Sequence, residues 1–423
     1  MGAVAVASRL RSPAQEPIDS DAAKVNGGPV SSLRVCMVHY SPFEVDSRIQ
    51  RQARALAERG DEVHCVCLEG PATLAFGAGA IHLHPVSAPK AGGGFTSYLS
   101  GNLRFLAGSF RKVSALHREQ RFDLVEIHNM PDALTFAALL PKLRGAPVIL
   151  NIHDTFPELF STMFGRPEGH PLVRLVGLEE RASCALADGL VFVTDEARER
   201  LRTRGVTKPR TRVVMNTPDE RVFGETRPPE PLPVEGPLNL VYHGGLAPRF
   251  GVELLVRAVP RVAAEHSQVS LDVYGAARNA PIVDLAAKLA PHSVRVAPEP
   301  TPLEDIPAKL RRAHVGIVPT LEDEFTRLLL PVKLLEYVHM GLPAVVARLP
   351  VIERYFSDDE VSYFTAGDVE SLVEAIERVL RDPAAATERA VRAQRRLVDI
   401  AWPRQRAGYL SLIDELAGVH ANG

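Results

Sequence analysis

A lysine and a glutamate near the C-terminus carry the clearest chemistry in this chain. Lys333 and Glu336 are three residues apart in a run that predicts a helix, and Pro331 suits the first turn of that helix. Side chains three apart share one face, and the start of a helix attracts anions. A lysine, free backbone N–H groups and one carboxylate would suit a ligand with a phosphate at one end and hydroxyl groups at the other. The alternative is an amphipathic helix with a surface ion pair.

A second candidate phosphate site follows a predicted strand at 238–242. The chain continues with His243, Gly244 and Gly245, and Arg249 comes shortly before the next predicted helix. Glycines at a strand end let backbone N–H groups approach a phosphate, and a nearby cation can neutralise it. Arg249 and Lys333 would then place two cations on one diphosphate. A tight turn with a solvated arginine is the alternative.

Strands and helices alternate along most of the chain, which predicts an α/β fold with parallel sheets and helices on both faces. The alternation stops at a stretch with five prolines in twelve residues, 226–237, and then starts again. A chain of 423 residues is also too long for one ordinary core. We therefore predict two domains, and the full division is a disordered leader at 1–32, a first domain at 33–222, a proline-rich linker at 223–237, a second domain at 238–400 and a C-terminal helix at 401–418.

The string around Lys333 resembles a known motif. Leu-Pro-x-Lys-Leu-x-Glu-Tyr-x-x-x-Gly-x-Pro-x-Val-Val, from Leu330 to Val346, is similar to the donor-nucleotide helix of the retaining GT-B glycosyltransferases, family 4 type. The resemblance implies two Rossmann-like, doubly wound domains that face a cleft, with a C-terminal helix that braces the first domain. It also implies that Glu336 holds the ribose hydroxyls of a nucleotide-sugar.

The same resemblance implies roles in the first domain. Related enzymes have a histidine at a strand end that touches the donor sugar, and His128 matches it. His153 and Asp154 follow the next strand and resemble a second common block, so the catalytic candidates are His128, His153 and Asp154. Asp46 and Arg48 lie where acceptor-side loops of the fold approach the cleft. Structural alternatives are a strand-end histidine bonded to backbone, a turn cap at Asp154, and capping of the first helix by Asp46.

Three positions depart from the family pattern. The family usually carries a glutamate, which contacts the donor sugar, where this chain has Leu328, and basic residues where it has Gly245 and Phe250. Arg249 is the substitute candidate for the missing cations. Acidic residues in the same predicted loop as Leu328 are the alternatives for the sugar contact, with Glu324 among the donor-binding candidates; they are Glu322, Asp323 and Glu324.

Several classes of function and cofactor are disfavoured. The formal net charge of −2 gives no field that would attract nucleic acid. No spacing of His and Cys indicates zinc, and no Gly-x-Gly-x-x-Gly follows the first strand, so we expect no metal and no dinucleotide cofactor. No run of about 18 apolar residues indicates a transmembrane helix. We expect a cytoplasmic protein, with peripheral contact at the inner membrane face as an open alternative.

That alternative rests on residues 99–118. The apolar positions recur at steps of four and three, and arginines repeat every seven residues beside them. A basic amphipathic helix can lie on an anionic membrane, where such enzymes often meet lipid-linked acceptors. The ordinary interpretation is a helix packed on its own sheet. The apolar positions are Leu99, Leu103, Leu106, Phe110 and Val113, and the arginines are Arg104, Arg111 and Arg118.

We predict a retaining, metal-independent transferase that moves a sugar from a nucleotide-sugar to an acceptor hydroxyl in glycolipid, polysaccharide or glycoconjugate synthesis. The acceptor would be a sugar, a lipid-linked molecule or another small molecule, and the nucleotide-sugar is a substrate rather than a cofactor. One rival is a non-catalytic relative that acts as a binding partner or scaffold. A nucleotide-sugar 2-epimerase on the same fold is the other, and it would need acid–base carboxylates in the cleft.

Overall fold

Two parallel β-sheets organise this protein in the computed structural model, which describes residues 32–70, 80–88, 95–275 and 279–418. The first sheet has seven strands in the order β3-β2-β1-β4-β5-β6-β7. Apolar strands that are buried on both faces explain its position inside the first lobe. Its strands are β1 (Arg34–Pro42), β2 (Glu62–Leu68), β3 (Ile81–Val86), β4 (Leu124–His128), β5 (Val148–Ile152), β6 (Gly189–Phe192) and β7 (Thr211–Val213).

Helices cover both faces of the first sheet, and each face has its own apolar core. The first helix begins after Asp46, whose side chain accepts a hydrogen bond from the Arg48 N–H, and it ends at Gly60 in the left-handed conformation. The helices are α1 (Ser47–Arg59), α2 (Phe95–Glu119), α3 (Leu139–Leu143), α4 (Phe156–Phe164), α5 (Pro171–Leu186), α6 (Asp195–Thr203) and α7 (Glu220–Phe223).

The second sheet has six parallel strands in the order β10-β9-β8-β11-β12-β13, around a single large apolar core. Its strands are β8 (Leu238–Gly244), β9 (Val269–Gly275), β10 (Val294–Val296), β11 (Val315–Val318), β12 (Ala344–Ala347) and β13 (Ser362–Phe364). Its helices are α8 (Val252–Glu265), α9 (Ala280–Leu289), α10 (Ile306–Leu310), α11 (Val332–His339), α12 (Pro350–Tyr355), α13 (Val369–Arg381) and α14 (Pro383–Ile400).

The last helix, α15 (Trp402–Ala417), returns to the first sheet. Tyr409 is fully buried there, and its hydroxyl donates a 2.6 Å hydrogen bond to Glu126 in β4. Leu412 and Ile413 belong to the same core as α1 and β1. The final segment therefore ties the second lobe to the first.

The predicted α/β fold with two doubly wound parallel sheets is confirmed. Sequence reasoning missed β3 and β13. The β3 sequence, Ile-His-Leu-His-Pro-Val, lies at the sheet edge and is only partly buried, so its polar residues hid the apolar pattern of a strand. The predicted leader at 1–32 lies almost entirely outside the described residues.

In both sheets, chain order reverses next to the first strand, between β1 and β4 and between β8 and β11. Ligands of doubly wound folds bind beyond the carboxyl ends of the strands at such points. Each of the two lobes therefore offers one binding edge.

Candidate active site

The two binding edges meet at a cavity of about 450 Å³. From the first lobe it is lined by residues at the start of α1 and after β5, and from the second by the end of β8 and the start of α11. The structure thus brings together most of the predicted site residues. Those that line the cavity are Asp46, Arg48, Asp154, Gly244, Gly245, Lys333 and Glu336.

Lys333 is a partly buried cation at the start of α11. Its Nζ donates a 2.7 Å hydrogen bond to the Tyr242 hydroxyl and lies 4.1 Å from the centre of that ring and 5.0 Å from the centre of the Phe250 ring. Burial lowers the pKa of Lys333 from 10.5 to about 7, although the charge of Glu336 acts in the opposite direction. Because the amine has no anion at bonding distance among the described residues, an anionic ligand would complete its surroundings.

Glu336 lies one turn further along the same face, and only 7 % of its surface is exposed. Its Oε2 is 3.2 Å from Nε2 of His243, without the alignment of a hydrogen bond. The His243 ring packs edge-on against Tyr337. A buried carboxylate with free acceptor positions can bind a pair of ligand hydroxyls. His243 was part of the quoted glycine loop, but sequence reasoning assigned it no role, because its contact with Glu336 joins residues that are far apart in sequence.

Gly244 adopts the left-handed conformation at the end of β8, with φ of +108°, and a Cβ there would lie 3.4 Å from the Lys333 side chain. A Cβ on Gly245 would lie 2.6 Å from the Phe250 ring. Gly245 and Phe250 stand at two positions that are basic in related enzymes. Here they pack against each other, and the Phe250 ring fills the space beside Gly245. Arg249 does not line the cavity but lies over the ring of Phe325, at 5.6 Å.

The acidic loop before α11 does not point into the cavity. Glu324 is exposed and lies 3.9 Å from the Arg327 guanidinium, which also binds Glu322 at 2.9 Å. The Asp323 carboxylate accepts hydrogen bonds from backbone N–H groups of its own turn. The carbonyl of Leu328 accepts a 2.8 Å hydrogen bond from Thr194 of the first lobe. In this arrangement the loop contacts the other lobe and presents no carboxylate to the cavity.

Asp46 and Arg48 form one unit at the start of α1. Both oxygens of Asp46 accept hydrogen bonds from the Arg48 guanidinium, at 3.0 and 2.8 Å. Burial opposes the charge of Asp46, but the charge and hydrogen bonds of Arg48 outweigh it and hold the pKa of Asp46 below its usual value. Asp46 therefore both caps α1 and lines the cavity. Asp154 also lines the cavity, and burial raises its pKa.

His128 and His153 form a buried pair behind the cavity rather than on its lining. The rings stack at 5.3 Å, and Nδ1 of His128 lies 3.0 Å from Nε2 of His153. Burial lowers the pKa of both imidazoles, that of His153 to about 3. The Asn129 carboxamide links the two strand ends, because its oxygen accepts from the His153 N–H and its nitrogen donates to the Asp154 carbonyl. The pair is therefore neutral at pH 7 and one layer below the cleft surface.

A second cavity, of about 690 Å³, adjoins the first and shares His243 and Gly244 with it. The first lobe contributes Gln50, Arg54 and Arg221 to its lining, and the second contributes Tyr274. The cleft therefore extends past both sides of the β8 turn, with room for a ligand longer than a single sugar.

Comparison with known proteins agrees with this architecture. Residues 45–217 match the family described as glycosyl transferase 4-like domain, and residues 237–382 match the family described as glycosyl transferases group 1. The chain belongs to the GT-B glycosyltransferases. This confirms the family that the motif from Leu330 to Val346 indicated.

Individual relatives of this glycosyltransferase are distant. It is 24 % identical to a D-inositol 3-phosphate glycosyltransferase of Streptosporangium roseum, over 95 % of this chain and 97 % of the relative. A sucrose-phosphate synthase from Thermosynechococcus elongatus superimposes with a TM-score of 0.72 at 17 % identity, over 92 % of this chain and all of the other. An α,α-trehalose 6-phosphate synthase from Burkholderia multivorans superimposes with a TM-score of 0.66 at 14 % identity, over 92 % of this chain and 99 % of the other. These structures share the fold.

Proposed function

We propose that this glycosyltransferase moves a sugar from a nucleotide-sugar to an acceptor hydroxyl with retention of anomeric configuration. The observation that carries the proposal is the position of Lys333 and Glu336, one turn apart at the start of α11, in a cavity closed on the other side by Asp46, Arg48 and Asp154. One lobe thus offers groups for a phosphate and for hydroxyls, and the other lobe faces them.

The donor diphosphate would lie against the backbone at Gly244 and Gly245, with Lys333 as its main cation. Glu336 would accept hydrogen bonds from the ribose hydroxyls. Negative charge develops on the departing nucleoside diphosphate, so a preorganised cation and helix-start N–H groups would lower the barrier. Arg249 would join them only after the loop that carries it moves, because its guanidinium now lies over Phe325.

The acceptor would approach from the first lobe. Asp154 is a cavity carboxyl whose pKa is raised by burial, which makes it the first-lobe candidate for exchange of a proton with the acceptor hydroxyl. The buried pair His128 and His153 would act as a positioning layer beneath it. Retention is proposed from the family resemblance. In that family it is usually ascribed to attack of the acceptor on the same face from which the nucleotide leaves, without an enzymic nucleophile. We propose no cofactor in this reaction, since the nucleotide-sugar is consumed as a substrate.

Binding and product analysis test the proposal. The wild-type protein and Glu336→Ala would be titrated by calorimetry with UDP-, GDP-, ADP-, dTDP- and CMP-sugars. Tight binding of one donor that Glu336→Ala weakens by about 10-fold or more supports the site. Acceptors would then be screened, beginning with D-inositol 3-phosphate, for which one relative is named, and continuing with sugars and sugar phosphates. The anomeric configuration of the product would be read by NMR. An inverted product overturns retention, and a sugar that stays on the nucleotide supports an epimerase.

A non-catalytic GT-B protein is the second candidate, and specific residues favour it. Leu328 leaves the donor sugar without the usual carboxylate, and Gly245 with Phe250 replaces two cations by an apolar pair. A protein that binds a donor but never transfers its sugar to any acceptor in the screen would support this candidate.

Helix α2 supports a proposal of peripheral membrane contact. Leu99, Leu103 and Phe110 are exposed, whereas Val113 is buried, so most of the predicted apolar stripe faces away from the sheet. Leu143 of the neighbouring helix α3 is 76 % exposed. The arginines at 104, 111 and 118 are exposed on the same helix. Apolar residues among cations suit an anionic lipid surface. Within the described residues, no helix is long and apolar enough to cross a membrane.

A further inference from the structure

A group of side chains of the metal-ligand type lies outside the cleft, near the starts of β2 and of the edge strand β3. Glu62 and His64 are two residues apart in β2, so their side chains point to the same face of the sheet. The strand register places His64 beside His82 of the edge strand β3. One carboxylate oxygen and two imidazole nitrogens lie within 4.8 Å of one another. Sequence spacing did not indicate this group, because only the pairing of β2 with β3 brings its members together.

The distances fit a small tetrahedral ion. Oε1 of Glu62 lies 2.9 Å from Nε2 of His64 and 3.5 Å from Nε2 of His82. Ligands that surround Zn²⁺ at about 2.0–2.1 Å in tetrahedral geometry are separated by about 3.3 Å. Both distances from Oε1 are thus close to the separation expected between two ligands of one ion, and rotation of the two imidazoles, which stack with their ring centres 4.8 Å apart, would turn their nitrogens toward it.

Neighbouring residues hold these side chains in a ligating orientation. Nδ1 of His64 lies 2.9 Å from Nε2 of His84, so this contact occupies one ring nitrogen of His64, while the other, Nε2, forms a hydrogen bond with Oε1 of Glu62 that the ion would replace. Oε2 of Glu62 lies 3.3 Å from Nε of Arg34, which fixes the carboxylate by the oxygen that the ion would not use. Such outer contacts are typical of protein metal sites. His64 is buried, whereas 44 % of the His82 side chain is exposed, which leaves a fourth position for water.

We propose that Glu62, His64 and His82 bind one Zn²⁺ ion. Two imidazoles and one carboxylate suit Zn²⁺ better than Mg²⁺ or Ca²⁺, which prefer oxygen ligands. The site lies at the start of β2, whereas the cleft lies beyond the carboxyl ends of the strands. The ion would therefore fasten the edge strand β3 to β2 rather than take part in sugar transfer.

Zinc titration of the tag-free, full-length protein tests the proposal. We expect one Zn²⁺ per chain by calorimetry, no competition from excess Mg²⁺, and a rise in melting temperature with Zn²⁺. His82→Ala removes an exposed ligand, so its fold should persist by circular dichroism while Zn²⁺ affinity falls at least about tenfold and the rise in melting temperature is lost. His292→Ala is the matched control, because it removes an exposed histidine of the other lobe.

Glu62→Gln keeps the shape of the side chain and should weaken Zn²⁺ binding as well. Equal Zn²⁺ affinity in wild type and His82→Ala would overturn the proposal, and so would the absence of stoichiometric binding to the wild type. Tetrahedral Co²⁺ absorption that appears with wild type and is lost in His82→Ala would support it independently.

Discussion

The Lys333 ammonium group donates a 2.7 Å hydrogen bond to the hydroxyl of Tyr242, beneath the turn formed by Gly244 and Gly245. The interaction joins the first strand of the second sheet to the helix that carries the binding motif. It holds the ammonium group against two aromatic rings, with no anion at bonding distance among the described residues. Desolvation of an unpaired cation lowers the stability of the empty protein, and a bound anion would compensate for this cost.

Donor affinity should depend on pH through Lys333. Its pKa of about 7 in the free protein means that the ammonium form, which the diphosphate prefers, is lost above pH 7. We expect affinity to fall by up to about tenfold per pH unit above 7. Calorimetry between pH 6 and 9 measures this, with Lys333→Met as the variant whose weaker binding does not change with pH. A wild-type affinity that is constant over this range would contradict the prediction.

The same residue should shape stability. The folded-state pKa of Lys333 is lowered from 10.5 to about 7, so the unfolded chain binds more protons between these values. The free energy of unfolding should therefore rise with pH between about 7 and 10.5 through Lys333. Below pH 7 the residue lowers the free energy of unfolding by its largest amount, because it is then charged in both states. Urea unfolding at several pH values should show Lys333→Met gaining stability over wild type most strongly at pH 7 and below.

Glu336 and Glu324 should respond differently to substitution. Glu336→Ala removes a buried acceptor from the cavity and should lower donor affinity by about 10- to 100-fold, as expected for a lost hydrogen bond to a charged group. Glu324→Ala should change it by less than about twofold, because that side chain is exposed beside Arg327. Calorimetric titration of both variants gives the comparison. Equal losses would place the donor sugar against the loop at 322–324.

The apolar pair at the β8 turn should show strong coupling. Gly245→Arg places a Cβ 2.6 Å from Phe250 and should destabilise the fold by about 1–3 kcal/mol. Phe250→Lys removes that obstacle and adds a cation near Lys333, so it should raise donor affinity while it lowers the melting temperature of the empty protein. The double variant should be more stable than Gly245→Arg alone. Additive effects in melting temperature and affinity would show that the two sites do not interact.

Acid should destabilise the protein through its buried histidines. The pKa of His153 is lowered from 6.5 to about 3 in the folded state, so the stability that it contributes is present above pH 6.5 and is lost as pH falls toward 3. His153→Asn should reduce the slope of unfolding free energy against pH by up to about 1.4 kcal/mol per pH unit. Urea unfolding between pH 4 and 7 measures the slope, and His292→Asn, which alters an exposed histidine, should leave it unchanged.

Membrane contact through α2 predicts binding to anionic vesicles. Leu103→Glu puts a charge into the exposed apolar group and should reduce co-sedimentation with phosphatidylserine vesicles several-fold. Val283→Glu is the control, since Val283 is an exposed apolar residue of α9 in the other lobe. Binding should also weaken in high salt, because the arginines act through screened charge. Equal sedimentation of both variants would exclude α2 as the contact.

The fold class and the centre of the candidate site could be predicted from the sequence because both depend on the spacing of residues that are close together along the chain. Apolar strands that alternate with helices specify parallel sheets, and the spacing of Lys333 and Glu336 places both on one face of a single short helix. The partly buried edge strand β3 escaped, because edge positions tolerate polar residues and do not show the pattern of a buried strand.

Relations between distant segments were decided only by tertiary structure. Sequence pattern alone determined two α/β units, a cation and a carboxylate at one helix start, and the departures at Leu328, Gly245 and Phe250. Packing decided that His128 lies behind the cleft, that Glu324 turns toward Arg327 and that three ligand-type side chains meet at the β2–β3 edge. Local spacing fixes which side chains share an element, whereas strand register and burial fix which elements meet.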